Sequence, residues 1–251
     1  MAIEIRNIIT RESLSGYDMG FLKRPEFGGW RIEEDTARLI GRACEEFKPR
    51  HVLEFGTGLS TLVLANEASK GNVERIWSVD HLKDFPGHPR GIIGKDGPVE
   101  FCHLPIRFTT SAGKLFQFYS VTEDFLKKVG PIDLVIIDGP PYYYNSREAS
   151  LYKVYPYLSK DAVILLDDAG RKGREEVYLS NWKRYFGDKI ETNIFLKEFK
   201  KGLAYVRPVD ANGKISGFKA IERIKDSSKT IKYELLRILR YMRDRLVRRA
   251  G

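Results

Sequence analysis

The sequence predicts an α/β fold, in which helices cover both faces of a doubly wound, mostly parallel sheet. Three observations predict it. Short apolar runs rich in β-branched residues recur along the chain, segments of helical length separate them, and a glycine turn follows the first run. The chain has 251 residues, of which 42% are hydrophobic and 31% charged, which suits one folded α/β domain with appended segments and excludes a disordered or fibrous protein.

Before the first strand, the sequence predicts an irregular segment and then a helix. Residues 1–30 contain the chain breakers Pro25, Gly28 and Gly29, and we expect them to form a lead-in or a lid. From residue 32 to residue 47, apolar residues recur at helical spacing and three acidic residues stand in the first turn. Pro49 ends this predicted helix.

Strands and helices then alternate. The apolar runs predict strands at residues 51–55, 75–79, 99–104, 133–138 and 162–166. The segments between them predict helices at about residues 60–69, 121–128, 146–157 and 172–186. Residues 81–97 are rich in Gly and Pro, so we expect a loop or a poor helix where a crossover helix would otherwise lie.

A hairpin closes the predicted sheet. Apolar runs at residues 190–199 and 203–206 are joined through Lys200, Lys201 and Gly202, a link too short for a crossover helix. Two antiparallel strands beside five parallel ones give a seven-stranded sheet. The main domain would therefore span residues 31–208.

The remaining residues, 209–251, predict a connector up to Ser228 and then a basic amphipathic helix. Apolar residues recur at intervals of three or four, and the segment from Ser228 onward carries six of the nine net positive charges. The apolar positions are Ile231, Leu235, Leu239, Met242 and Leu246. Residues 229–249 are expected to bind an anionic membrane surface, to self-associate or pair with a partner helix, or to pack on their own domain.

Composition and termini restrict the class of protein. Cys44 and Cys102 are isolated, which gives neither a disulfide framework nor a zinc site. The start of the chain lacks the pattern of a signal peptide, and no apolar run is long enough to span a bilayer. We expect a cytoplasmic protein, peripheral at the membrane if the last helix binds lipid. Outside that helix the net charge is small and no nucleic-acid module is recognisable, so nucleic acid is not an expected partner.

The segment HVLEFGTGLST, residues 51–61, predicts a binding loop at the end of the first strand. Glu54, Gly56, Thr57 and Gly58 follow a buried apolar run and precede a helix. Glycines allow the backbone to turn tightly and approach a ligand, while free amides at the start of the helix can donate to a polar group. Ser60 and Thr61 add hydroxyl groups nearby.

A carboxylate also ends the second predicted strand. Asp80 stands where an acidic residue can accept both hydroxyls of a ribose, a position shared by dinucleotide-binding folds. Those folds require a third glycine, at the position that Thr61 occupies here. His81, next to Asp80, is a candidate for the ribose or adenine pocket.

Three further carboxylates follow the fourth and fifth predicted strands. Asp138 ends one strand, and Asp167 and Asp168 end the next. Carboxyl ends of parallel strands converge at one edge of the sheet, where three such groups repel one another unless a cation or a proton intervenes. They could hold a divalent cation, or they could cap a helix and position a ligand without metal.

Together, the acidic residue followed by GxG, Asp80 and the closing hairpin resemble the class I S-adenosylmethionine-dependent methyltransferases over about residues 32–208. The resemblance implies that Glu54, Gly56, Thr57, Gly58, Ser60 and Thr61 bracket the amino-acid moiety of S-adenosylmethionine, with Asp80 and His81 near the ribose. In the metal-dependent O-methyltransferases of the catechol and sugar type, acidic residues after strands four and five hold a divalent cation.

Asp138, Asp167 and Asp168 match those positions, which implies magnesium or a similar ion and a catalytic role for Asp138. The lysine that follows the first of these acids in the catechol enzymes is absent here, since Gly139 and Pro140 occupy its place.

The acceptor would be a sugar, a glycan or a small metabolite. Tyr142, Tyr143, Tyr144 and Arg147 offer aromatic faces and a guanidinium group at the predicted mouth of the site. O-methylation of such a hydroxyl is the leading hypothesis. The alternatives are an NAD- or nucleotide-sugar-binding oxidoreductase and a non-catalytic interaction protein recruited to a membrane.

Overall fold

A computed structural model describes residues 5, 8–9, 14–21, 32–85, 87–141, 145–209 and 215–250, with the side chains of the last helix described up to residue 244. Its helices are α1 (Glu34–Phe47), α2 (Leu59–Ser69), α3 (Arg90–Ile93), α4 (Glu123–Val129), α5 (Glu148–Val154), α6 (Glu175–Phe186) and α7 (Ala220–Ala250). Its strands are β1 (His51–Phe55), β2 (Arg75–Asp80), β3 (Val99–His103), β4 (Ile106–Ser111), β5 (Lys114–Tyr119), β6 (Ile132–Ile137), β7 (Leu158–Asp167), β8 (Ile190–Phe195) and β9 (Leu203–Pro208).

Seven strands form one sheet in the order β3-β2-β1-β6-β7-β9-β8. The pairs from β3 to β7 are parallel, whereas β9 runs antiparallel to both β7 and β8. The chain order reverses between β1 and β6, which is the position where doubly wound sheets bind ligands. This architecture confirms the predicted fold class and the closing hairpin.

Both faces of the sheet are buried because successive side chains of a strand point to opposite sides. On one face, Leu53 and Phe55 pack with residues of α5 and α6. On the other, Val52 packs with α1, α2 and the described residues near the amino terminus, which include Ile5 and Tyr17. The apolar runs therefore serve two cores, which explains why the predicted strands read as continuous apolar segments.

The structure adds a hairpin that the sequence analysis did not predict. Strands β4 and β5 pair antiparallel outside the main sheet, and the turn between them has positive φ angles of 51° at Ala112 and 74° at Gly113. The side chains of Phe116, Phe118 and Tyr119 enter the core on the α5 side. In chain order, this hairpin lies between β3 and α4. The loop expected at residues 81–97 is present, with only the four-residue α3 inside it.

The last helix begins at Ala220, so the residues before Ser228, predicted as a connector, are helical in their second half. Contacts with β5 account for the earlier start, since the Ser227 hydroxyl accepts from the Leu115 amide at 3.0 Å and the Thr230 hydroxyl donates to the Leu115 carbonyl at 3.0 Å. Within the described part of the chain, none of the helices has both the length and the apolar character needed to cross a membrane. The lid predicted for residues 1–30 falls largely outside the described residues.

Candidate functional site

The candidate site lies where β1, β2, β6 and β7 end at the carboxyl edge of the sheet. Parallel pairing brings these ends together, with Glu54 opposite Ser78 in β2 and opposite Ile136 in β6. The loop after β1 is fixed on both sides. The Gly56 amide donates to the Val79 carbonyl, and the Asp138 amide donates to the Phe55 carbonyl, both at 2.9 Å.

Glu54 is fully buried at the end of β1. Its Oε2 accepts hydrogen bonds from the hydroxyls of Thr61 and Ser78, each at 2.5 Å. Burial raises the pKa of Glu54 to about 7, although the hydroxyls of Ser60, Ser78 and Thr61 lower it in part. Oε1 makes no hydrogen bond of good geometry in the described structure. One oxygen of this carboxylate is thus held by the protein, while the other is left for a ligand.

Asp80 fixes the glycine loop from the neighbouring strand. Its Oδ2 accepts from the Thr57 amide at 3.1 Å, and its Oδ1 accepts from the Leu82 amide at 2.8 Å. The Thr57 hydroxyl lies 2.8 Å from that of Ser78, and the Gly58 amide donates to the Thr61 hydroxyl at 2.9 Å. The amides of Thr57 and Gly58 are therefore each held by a side chain that also belongs to the candidate site.

The glycines of the two facing loops are in direct contact. Gly56 has a φ of +104°, and a Cβ on it would lie 3.0 Å from the Gly139 nitrogen. A Cβ on Gly139 would lie 2.1 Å from the hydroxyl oxygen of Tyr119 and 3.0 Å from the Gly56 Cα. Only glycine permits this approach, so the loops after β1 and β6 form one continuous floor.

Tyr119, from the unpredicted hairpin, lies beneath this floor. Its ring stacks on Phe55 at 5.8 Å between centroids and faces His81 at 6.3 Å. Burial, followed by the charge of Asp80, raises the pKa of Tyr119 well above its usual range. The Nδ1 of His81 lies 3.1 Å from Oδ1 of Asp80, which places His81 beside the second-strand carboxylate.

A second group of carboxylates surrounds the buried guanidinium of Arg147. Its Nη2 donates to the Asp138 carbonyl at 2.6 Å and to Asp138 Oδ1 at 3.1 Å. Its Nη1 donates to Asp168 Oδ2 at 3.1 Å and lies 3.6 Å from Glu175 Oε1. Arg171 also reaches Asp168 Oδ2, at 2.9 Å. The guanidinium holds the ends of β6 and β7 in one arrangement.

Three buried oxygens in this group have no hydrogen-bond partner among the described residues. They are Oδ2 of Asp167, whose other oxygen accepts from the Thr36 hydroxyl at 3.2 Å, Oδ1 of Asp168 and Oε2 of Glu175. One oxygen each from Asp138, Asp167 and Asp168 lies within 4.8 Å of the others. Hard, anionic oxygen donors at this separation fit a divalent cation such as magnesium. Burial raises the pKa of Asp167, and the charges of Asp138 and Asp168 raise it further.

The comparisons with known proteins agree with this geometry. Residues 53–169 match a family model described as a methyltransferase domain, which covers the sheet from β1 to the turn after β7 and includes Glu54, Asp80, Asp138, Asp167 and Asp168. Residues 53–169 therefore form a methyltransferase domain, on the fold of the class I S-adenosylmethionine-dependent enzymes. The comparisons give no support to the oxidoreductase or the non-catalytic alternative. A search of curated proteins finds no match.

Solved structures share the fold at low identity. The methyltransferase PaMTH1 of Podospora anserina, bound to S-adenosylhomocysteine, is 13% identical with a TM-score of 0.52, over 74% of this chain and 83% of that one. The Bacillus cereus O-methyltransferase complex with S-adenosylhomocysteine is 14% identical with a TM-score of 0.50, over 82% and 89%. The O-methyltransferase TomG from Streptomyces achromogenes, involved in tomaymycin synthesis and bound to S-adenosylmethionine, is 11% identical with a TM-score of 0.52, over 80% and 91%.

The structure brings most of the predicted site residues of this methyltransferase together in two groups. Glu54, Gly56, Thr57, Gly58, Ser60, Thr61, Asp80 and His81 surround the loop after β1, with Ser60 and Thr61 buried in the first turn of α2. Asp138, Asp167 and Asp168 form the second group. Tyr142, Tyr143 and Tyr144 lie outside the described residues. Arg147, predicted at the substrate mouth, points inward to the carboxylates.

Several residues of the candidate site were not predicted from the sequence. The Ser78 hydroxyl donates to Glu54 from the neighbouring strand β2. The alternation of side chains along β2 could have predicted that Ser78 shares a face of the sheet with Glu54. Tyr119 comes from β5, and the signal for its hairpin was the Ala112-Gly113 pair between two alternating runs. Glu175 joins the cluster from α6, and no local pattern indicated its partner Arg147.

Proposed function

We propose that this methyltransferase transfers the methyl group of S-adenosylmethionine to a hydroxyl of a small acceptor, with a sugar or glycan as the expected class. The two unpaired, buried oxygens of Asp167 and Asp168 carry the proposal, since they leave a place for a cation beside the cofactor loop. The O-methyltransferase names of the Bacillus cereus and Streptomyces achromogenes neighbours also favour an oxygen acceptor.

The loop after β1 would hold the cofactor. Glu54 supports the loop through Oε2 and would present Oε1 to the cationic amino group of S-adenosylmethionine. Asp80 follows the next strand along the sheet and would accept the ribose hydroxyls, with His81 beside it. The amides at the start of α2 would face the carboxylate of the amino-acid moiety, where a helix favours negative charge.

Asp138, Asp167 and Asp168 would hold magnesium or another hard cation. When bound, such an ion lowers the pKa of a hydroxyl that it contacts. Arg147 would keep the carboxylates in position, because it binds one oxygen of Asp138 and one of Asp168 and does not contact the other oxygen of either carboxylate. Asp138 is the most exposed carboxylate of the three and would receive the acceptor proton.

Tyr142, Tyr143 and Tyr144 stand in the sequence between Asp138 and Arg147, so they would flank the acceptor, and aromatic faces suit sugar rings. A cytoplasmic location, association with an anionic membrane and self-association through residues 229–249 also stay predictions of the sequence.

A methylation assay with a panel of sugars and phenols, read by mass spectrometry, tests the proposal. We expect a methyl group on oxygen, and we expect chelation to remove the activity and magnesium to restore it. Asp168→Asn should lower the rate by about a hundredfold or more, because it removes one of the three ligands. Calorimetric titration with magnesium alone should show binding to the original chain and weak binding to Asp168→Asn.

Asp161→Asn is the matched control, since Asp161 lies on the same strand but is exposed and remote from the cluster. It should change neither the rate nor the magnesium affinity. Activity that survives chelation and the Asp168→Asn change would contradict the cation site. Methylation of nitrogen or carbon acceptors alone would contradict the hydroxyl acceptor.

A further inference from the structure

Helix α7 is fastened to the domain along one face of its first part. Asp226 lies 3.0 Å from the Lys114 ammonium, which is 1% exposed and also bonds Glu148 at 2.6 Å. Ser227 and Thr230 hydrogen bond with the backbone of Leu115 in β5. A buried ammonium shared by two carboxylates is costly to separate, so the helix holds a fixed orientation on the domain.

A different face of the same helix exposes a stripe of large apolar side chains. Their exposed fractions lie between 43% and 68%, and the stripe begins beside the fastened part and continues past it. Its members are Ile221, Ile224, Ile231, Leu235, Ile238, Leu239 and Met242. At 3.6 residues per turn these positions fall on one side of the helix, turned away from Asp226 and Thr230. Nothing in the described part of the chain covers this stripe.

Basic residues flank the stripe along one edge. Helical projection places Lys225, Lys229, Lys232, Arg240 and Arg243 on the side of the stripe opposite the fastened face. The whole helix has ten basic and four acidic residues, and two of the acidic ones, Asp226 and Glu222, are directed to the domain cations Lys114 and Arg184. The charge beside the stripe is therefore strongly positive.

We propose that α7 lies on an anionic lipid surface, with the apolar stripe in the acyl boundary and the basic edge among the headgroups. An interfacial helix needs an apolar face, a cationic polar face and a modest mean hydropathy, and α7 has all three. Basic side chains beside an apolar face keep their charges in the headgroup layer while their stems lie along the acyl chains. Each cation near such a surface strengthens the binding.

A second copy of the chain fits the stripe less well. The intervals of three and four residues in the stripe would continue through Ser228 and, beyond Leu246, through Arg249, which would place a hydroxyl and a cation in the seam of a coiled coil. Two such helices would also bring their positive charges together. An anionic surface removes both difficulties because it offers the opposite charge and no fixed seam.

Vesicle flotation with the full chain tests the proposal. We expect binding to vesicles of phosphatidylcholine with phosphatidylglycerol, little binding to phosphatidylcholine alone, and a loss of binding at high salt. The double variant Leu235→Glu/Leu239→Glu should weaken binding about tenfold or more, since it places charge in the stripe. Size-exclusion chromatography with light scattering on the same samples reports the oligomeric state, and circular dichroism reports the helix.

The control variant Ile194→Glu/Leu196→Glu introduces the same charge at two exposed apolar positions near the sheet edge. It should bind vesicles as the original chain does, and both variants should bind S-adenosylhomocysteine normally, so this proposal stands apart from the proposed function. Equal binding of the stripe variant and the control would overturn it. A dimer that the stripe variant dissociates, without vesicle binding by the original chain, would assign the stripe to a second copy instead.

Discussion

The carboxyl edge of the sheet has two halves, the loop after β1 and the ends of β6 and β7. They hold their carboxylates with different kinds of hydrogen-bond donor. At the loop after β1, Glu54 and Asp80 are held by hydroxyls and backbone amides, which are neutral donors. At the ends of β6 and β7, Asp138 and Asp168 are held by the guanidinium of Arg147. Burial raises the pKa of a carboxyl group in both halves, at Glu54 and at Asp167, but only the second half also contains a buried guanidinium as a fixed cation.

This difference assigns distinct tasks to the two halves. A loop held by neutral donors can accept a cationic ligand group beside Glu54 without displacing any part of the protein. Three carboxyl groups contact Arg147 and Asp167 lies beside them, so four acidic groups face the two guanidinium groups of Arg147 and Arg171, an arrangement that favours a further cation or a bound proton. We therefore propose the first half as the site of the cofactor and the second as the site of the acceptor hydroxyl.

Of the changes considered, the replacement of Arg147 should have the largest effect on stability. Arg147→Ala should lower the free energy of unfolding by about 3–5 kcal/mol, because it leaves several buried carboxylates without their cation. Urea unfolding measures this change. Arg171→Ala is the matched control, since Arg171 contacts the same Asp168 oxygen but is 40% exposed, and it should cost less than about 1 kcal/mol. Similar losses for the two variants would show that the buried guanidinium has no special role.

The pH dependence of stability should report the protonation of Glu54 in the first half. The folded pKa of Glu54, about 7, is raised above its ordinary value of 4.5, so the folded state binds a proton more tightly than the unfolded state. The contribution of Glu54 to stability is full below pH 4.5 and is lost as the pH rises to 7. It amounts to at most about 3 kcal/mol for a shift of this size.

Glu54→Gln should flatten that part of the pH profile when urea unfolding is measured at several pH values. Glu176→Gln, at an exposed position in α6, should retain the profile of the original chain. An unchanged profile in Glu54→Gln would contradict the assignment of the raised pKa to this carboxyl group.

A smaller effect is expected where the two halves touch. Gly56→Ala should destabilise the protein by about 1–3 kcal/mol, because alanine is strained at a φ of +104° and its Cβ would meet the Gly139 backbone. Gly71→Ala is the control, since Gly71 has a φ of +81° but nothing within 4 Å of the added Cβ. Thermal unfolding should show a larger loss for Gly56→Ala, and equal losses would mean that the contact between the loops adds nothing.

The first half of the site was largely predictable from the sequence, because one segment supplies it. Glu54, Gly56 and Gly58 stand together, and strand periodicity places Asp80 at the next strand end. The second half was predictable only in its aspartates. The role of Arg147 depends on a contact with Asp168 across the end of the sheet, and a guanidinium beside three tyrosines in the sequence suggested the substrate mouth instead.

The elements that the sequence did not predict depend on packing between residues far apart in the chain. The hairpin of β4 and β5 is stable because Phe116, Phe118 and Tyr119 enter the core, which the sequence of the hairpin alone does not reveal. Helix α7 starts at Ala220 because Asp226, Ser227 and Thr230 meet β5. The apolar periodicity of the sequence predicted the exposed part of α7 correctly, since the helix there depends on local spacing and not on contacts with the domain.

Calorimetric titration of the full chain with S-adenosylhomocysteine, and separately with NAD, tests the assignment of the cofactor to the loop after β1 most directly. S-adenosylhomocysteine retains the amino group that Glu54 would meet, so we expect one binding site for it, an affinity about tenfold or more weaker in Glu54→Gln, and no binding of NAD. Binding of NAD without binding of S-adenosylhomocysteine would contradict the account. Equal affinities in the original chain and Glu54→Gln would place the cofactor elsewhere.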